Sequence, residues 1–107
     1  MSENRSEVLI KIIKKAAADF IQKESSGQSL ITITDVRLSN DEKYANILFT
    51  VIPEDKEAAA LDFTKRMRSE FREYIKKNTK IGRIPTFDFD IDQGEKHRQK
   101  IDTIPLN

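Results

Sequence analysis

The chain has 107 residues, 37% hydrophobic and 35% charged, enough for one domain with a lean core and a densely charged surface and too few for two. No apolar run approaches the length of a membrane-spanning helix, and with no cysteine there is no disulfide, thiolate metal site or cysteine nucleophile. Net charge is +1, yet residues 65–83 carry eight basic side chains against Glu70 and Glu73, so this segment holds +6 and the remainder −5; such segregation bears on partners more than the total does.

The apolar residues are periodic, as in a folded domain that buries about 60–70% of its unfolded surface. The opening Met1-Ser2-Glu3-Asn4-Arg5 lacks the apolar stretch of a signal peptide, so a cytoplasmic location is expected. Residues 4–24 read as an amphipathic helix with Val8, Leu9, Ile12, Ile13, Ala16, Ala17, Phe20 and Ile21 in one stripe. Asn4 followed by Glu7 resembles a capping box, and Ser25-Ser26-Gly27 ends the segment.

Leu30–Leu38 and Tyr44–Ile52 are rich in β-branched and aromatic residues, the second with Ala45, Ile47, Phe49 and Val51 on one face. Ser39-Asn40-Asp41-Glu42 between them is turn chemistry, which predicts a hairpin stopped by Pro53. Asp55 is then expected to cap a helix running to about Lys77, with Ala60, Phe63, Met67, Phe71, Tyr74 and Ile75 as its apolar stripe. That is long for a small domain, and a break within it is an open possibility.

After a connector from Thr79 to Pro85, Thr86–Asp92 alternates apolar and acidic residues like a half-buried strand. Gln93 to Thr103 suits a short last helix with His97, Ile101 and Ile104 on one side. The order is α-β-β-α-(α)-β-α. Three strands backed by helices give a two-layer α+β domain, a single unit over 1–107 with its core at about 5–104.

Few residues suggest catalysis. Asp88, Asp90 and Asp92 share a strand face, but alternate positions lie about 7 Å apart, too far for neighbours to share one cation without other ligands. They read as a solvated face. His97, the only histidine, has no evident orienting partner, and no serine or threonine sits in a nucleophile-elbow context. The scarce glycines, Gly27, Gly82 and Gly94, exclude a P-loop, a dinucleotide fingerprint and a G-x-x-G clamp. No enzyme activity, metal or cofactor is expected.

The basic residues of the long helix are the positive signal. On a helical wheel Lys65, Arg68, Arg72 and Lys76 fall within an arc of about 80°, roughly 140° from the apolar centre. Lys80 and Arg83 extend this surface, Lys77 and Arg66 lie on its other flank, and Lys11, Lys14 and Lys15 of the first helix are secondary candidates. A solvated face is the plain reading. Against it, acidic residues four positions away are mostly missing from the stripe, and the arginines suit phosphate. The phenylalanines face the core, so a polyanion would be recognised by backbone charge and shape, as structured RNA allows.

Ile31-Thr32-Ile33-Thr34-Asp35-Val36-Arg37-Leu38-Ser39, then Asp41 and Tyr44-Ala45-Asn46-Ile47, resembles the first hairpin of the ribosome-binding factor A family. Arg83-Ile84-Pro85-Thr86-Phe87-Asp88-Phe89-Asp90-Ile91-Asp92 is similar to that family's proline-led last strand, and Gly94, His97, Ile101, Asp102 and Ile104 are similar to its closing helix. The resemblance spans roughly residues 5–104. It implies a type II KH-like fold without a G-x-x-G loop. It also implies a non-catalytic bacterial factor that binds the small ribosomal subunit and assists late maturation of that subunit and its rRNA, especially in the cold. Where members carry an Ala-x-Gly kink between two helices, this chain has Met67-Arg68-Ser69. The basic C-terminal tail of many members has no counterpart before Asn107, and the overall charge is near zero, so any RNA contact is expected from the local basic face.

The function expected is therefore that of a small-subunit assembly factor, monomeric, without membrane or small-molecule partners. Lys65, Arg68, Arg72, Lys76, Lys77, Lys80 and Arg83 would meet rRNA phosphates. The alternative is a protein–protein module of the same α+β class, using the hairpin edge or a helix face. Salt separates the two: neutralising about four to six phosphates gives a log–log slope of about −3 to −5, whereas an apolar protein interface loses little.

Overall fold

A computed structural model describes residues 4–25 and 27–103, with side chains through residue 99. Helix α1 spans Arg5–Glu24, strands β1 and β2 span Leu30–Leu38 and Tyr44–Ile52, and helices α2 and α3 span Glu57–Arg66 and Arg68–Asn78. Strand β3 (Thr86–Ile91) and helix α4 (Gln93–Thr103) complete the order. The expected Ile101 and Ile104 side chains, and Ser26 after α1, lie outside the described residues.

Helix α1 starts where Asn4 Oδ1 accepts the Glu7 N–H at 2.8 Å and ends as the Ser25 N–H reaches Ile21 O. Gly27 then adopts φ +81°, a left-handed conformation open to glycine without steric cost. The buried stripe is Leu9, Ile13, Ala16, Ala17, Phe20 and Ile21. It is narrower than the sequence suggests, because Val8 and Ile12 remain 42% and 37% exposed. The sheet covers one side of the apolar arc, and these two residues fall on its outer flank.

The sheet has order β1-β2-β3, with β1 antiparallel and β3 parallel to the central β2. In β1 the register steps from Ile33 opposite Phe49 to Asp35 opposite Leu48. This one-residue bulge at Thr34 lets both Ile33 and Val36 face the core, although three positions separate them. The hairpin turn is locked by side chains: Ser39 Oγ donates to Asp41 Oδ1 at 2.7 Å, and Asp41 accepts the Lys43 N–H. The Ser39 hydroxyl, then the Lys43 N–H, lower the Asp41 carboxyl below its usual pKa. Glu42, at φ 59°, turns its carboxylate to Ser6 Oγ (2.8 Å) and Arg5 Nε (3.2 Å), which seats α1 on the turn.

Asp55 does not cap α2. Glu54–Lys56 form a 3₁₀ turn, because the Lys56 N–H bonds Pro53 O and tightens the entry, and α2 begins without a side-chain cap. The long helix breaks at Met67, which sits at φ −89°, ψ 4°. Its N–H is shared between Phe63 O and Thr64 O, both at 3.1 Å, while fully buried Thr64 bonds back to Leu61 O. Back-bonding of this kind bends helices without glycine.

Helices α1, α2 and α3 pack over the sheet around one core that includes Ala45, Ile47, Phe49, Val51, Phe87 and Phe89. Phe71 is wholly buried at its centre, with ring centroids 5.3 Å from Phe20, 4.8 Å from Phe87 and 5.7 Å from Phe89. Helix α4 meets β2 and is tied at both ends of its first turn. Asp92 accepts the Glu95 N–H at 3.0 Å and the Thr34 hydroxyl at 2.5 Å, and Lys96 pairs with Glu54 (2.9 Å) and Glu57 (3.0 Å).

Two stability measurements test this packing. Phe71→Ala should cost about 3–5 kcal/mol in chemical denaturation, because it empties the junction of α1, α3 and β3. Asp92→Ala should cost about 1 kcal/mol near neutrality through the lost cap. Burial raises the Asp92 carboxyl, but the Thr34 hydroxyl and the Glu95 N–H outweigh it and hold its pKa below the usual range. Its contribution is therefore present above the unfolded value of about 3.9 and is lost as pH falls through the lower folded value. The gap between wild type and variant should narrow over that acid window.

Candidate nucleic-acid interface

With Phe71 and Ile75 buried, the four-residue spacing of α3 turns Arg68, Arg72 and Lys76 outward. All three are exposed, as are Lys77, Lys80, Arg83 and Arg66. Lys65, the last but one residue of α2, is half-buried.

The structure supplies the stripe with the acidic partners that helical spacing lacks. Lys65 Nζ lies 2.8 Å from Asp88 Oδ1 and 3.5 Å from Asp90 Oδ1, and Arg68 Nη1 lies 3.5 Å from Asp88 Oδ1. The Asp88 hydrogen bond holds the Lys65 ammonium above its ordinary pKa against burial. Burial pushes the Asp88 carboxyl up, but Lys65, the Phe89 N–H and the Arg68 charge together keep it below the usual range. Asp88 and Asp90 are thus not a merely solvated face, and Asp92 serves α4. The acidic alternation of the last strand, set beside a basic stripe lacking partners, was the signal in the sequence that could have paired them.

Arg68 Nε also donates to Lys65 O at 3.0 Å, taking up a carbonyl at the helix break. Arg72 Nη1 reaches Ile84 O and Pro85 O at 3.5 and 3.4 Å, on the approach to β3. A groove of about 290 Å³ opens between Arg68, Ser69, Arg72, Thr86 and Phe87. Further along, Lys76 and Lys80 make no ion pair with the described residues. Lys80 lines a groove of about 350 Å³ with Lys15, Ile12 and Tyr74, where Lys15 pairs with Asp19 at 3.3 Å. Lys11 and Lys14 are exposed on the same helix.

Three candidates stand apart from this row. Arg66 pairs with Asp62 at 3.1 Å and borders a groove formed with the end of α1. Lys77 borders another with Glu70, Glu73 and Lys23, on the opposite edge of α3. Arg83 lies close enough to the hairpin turn to help lower the Asp41 carboxyl. The described residues contain no group of three His, Asp or Glu arranged to hold a metal ion, and no helix long and apolar enough to cross a membrane.

The ion pairs predict small effects on folding. Lys65, Asp88 and Asp90 side chains are 36–45% exposed, so Asp88→Asn should change unfolding free energy by less than about 1 kcal/mol. Lys76→Glu and Lys80→Glu should stay within about 0.5 kcal/mol of wild type in the same denaturation assay.

Comparison with known proteins gives this geometry a family. Residues 5–105 match the family described as Ribosome-binding factor A. The chain is 27% identical over 95 residues to ribosome-binding factor A of Kosmotoga olearia, covering 88% of this chain and 76% of that protein. It is 28% identical over 102 residues to that of Thermodesulfovibrio yellowstonii, covering 94% and 86%. It is 35% identical over 96 residues to that of Kineococcus radiotolerans, covering 83% of this chain and 54% of that protein. The crystal structure of the Thermus thermophilus factor superposes with a TM-score of 0.71 at 24% identity, over 79% of this chain and 92% of that one. Coordinates of a Thermus thermophilus factor fitted into a cryo-EM map of its complex with the 30S subunit give 0.65 at 25% identity, over 74% and 86%. The α+β fold is KH-like, and the chain belongs to the ribosome-binding factor A family.

Proposed function

We propose that the chain is an assembly factor that binds the small ribosomal subunit and its rRNA during late maturation, in the cytoplasm, as a monomer and without catalysis or cofactor. One observation carries this reading: an exposed cationic row, Arg72, Lys76 and Lys80, on α3 and its exit, with no ion pair to any described residue. Arginine and lysine at fixed positions on such a surface neutralise phosphates without reading bases. The 30S complex of the Thermus thermophilus relative supports the small subunit as the partner.

Within this reading Arg72, Lys76 and Lys80 are the main phosphate contacts, and Lys65 and Arg68 join them by exchanging carboxylate for phosphate. Arg83 and Lys77 extend the surface at its ends, while Arg66, Lys11, Lys14 and Lys15 contribute to the surrounding field. A second reading, a protein-binding module, draws on the apolar groove that Val8, Ile12 and Ile81 form beside α1.

Sedimentation with purified small and large subunits distinguishes the two. Co-migration with the small subunit alone should weaken about 60- to 1,000-fold between 50 and 200 mM salt, for a slope of −3 to −5. Arg72→Glu/Lys76→Glu/Lys80→Glu should abolish it at moderate salt and flatten the slope by about three. Salt-insensitive binding that survives the triple variant would assign the contact to the apolar groove.

A further inference from the structure

The pairing of Lys65 and Arg68 with β3 divides the cationic surface into two unequal halves. From Arg72 onward the cations are exposed and face the solvent. At the other end two cations and two carboxylates form a compact, nearly neutral cluster, with Asp88 shared between Lys65 and Arg68. We propose that Asp88 and Asp90 are specificity-determining residues: they latch Lys65 and Arg68, and yield them to the closely spaced phosphates of folded RNA but not to a flexible single strand.

The proposal rests on the RNA-binding reading above and concerns the same surface. The latch is exchangeable. All four side chains are between 36% and 50% exposed, and ion pairs so open to water are weak. Its carboxylates stay beside the ligand after exchange. Asp88 is held in place by the Phe89 N–H at 2.9 Å, and both aspartates project from a strand with six consecutive pairings to β2. An approaching phosphate therefore meets two fixed negative charges at this end of the row.

A single strand engages phosphates one at a time and orders its own backbone at each contact, so it gains little by passing the aspartates. A folded RNA presents phosphates from two strands at fixed spacing. Docked on Arg72, Lys76 and Lys80, it holds further phosphates against Lys65 and Arg68 without additional ordering, and displaces the carboxylates.

The test is Asp88→Asn/Asp90→Asn, which keeps side-chain shape and removes both charges, measured by fluorescence anisotropy with labelled oligo(U) and by sedimentation with small subunits. The variant should bind oligo(U) about tenfold more tightly and the small subunit no more than about threefold more tightly. Lys65→Gln/Arg68→Gln/Asp88→Asn/Asp90→Asn, which keeps the cluster neutral, should weaken small-subunit binding and leave oligo(U) unchanged, because the latched cations do not serve it. An equal gain for both ligands, or a gain for neither, overturns the latch. If wild type ignores small subunits yet binds oligo(U), the assembly-factor reading fails, and unchanged oligo(U) affinity in the aspartate variant still overturns the latch on its own. Melting curves that coincide with wild type confirm that the variants report binding rather than folding.

Discussion

The position of the Phe71 ring governs the rest of the architecture. It contacts Phe20 on α1 and both core phenylalanines of β3, so it joins three elements that are far apart in the chain. Because it cannot rotate out of this junction without leaving a cavity, the phase of α3 is set by one side chain. Every residue one turn away on the outer side is then directed by the same choice. Arg68, Arg72 and Lys76 point outward as a consequence of what Phe71 and Ile75 bury, so the core sets the backbone positions from which the cationic row projects.

The break at Met67 separates α2, which packs on β2 and β3, from α3, which reaches α1. Ala60, Thr64, Phe71 and Ile75 share one face by helical spacing, so the bend redirects the helix axis without changing which face is buried. Met67 makes it with a shared hydrogen bond instead of a glycine, and Arg68 Nε satisfies the carbonyl of Lys65 at the bend. The bend is thus supported by Thr64 and Arg68.

Electrostatics follow from the topology. The parallel pairing of β3 with β2 runs the acidic strand along α2, so the negative part of the chain lies directly beside the positive part. A chain of net charge +1 consequently has a neutral end and an exposed cationic end on one surface. In the proposed complex, recognition of a polyanion depends on local geometry more than on long-range attraction, because the field of the whole molecule is weak at physiological ionic strength.

Much of this was legible from residues alone. The inward set Ala45, Ile47, Phe49 and Val51 of β2, the alternation of Thr86–Ile91, the Ser39–Glu42 turn, the Asn4 cap and the Phe71–Ile75 stripe all appear in the structure where periodicity places them, since each depends on contacts within a few residues. The outward direction of the basic stripe was determined in the same way. Other features needed partners distant in sequence. The bulge at Thr34, the 3₁₀ entry that displaced Asp55 as a cap and the exposure of Val8 and Ile12 depend on how the sheet and helices meet. Above all, Lys65 and Arg68 find their carboxylates, Asp88 and Asp90, on a strand remote in sequence, once β3 has paired with β2. Local periodicity determined which side chains face out; only tertiary structure decided which of them face each other, because that depends on the strand register and the helix break.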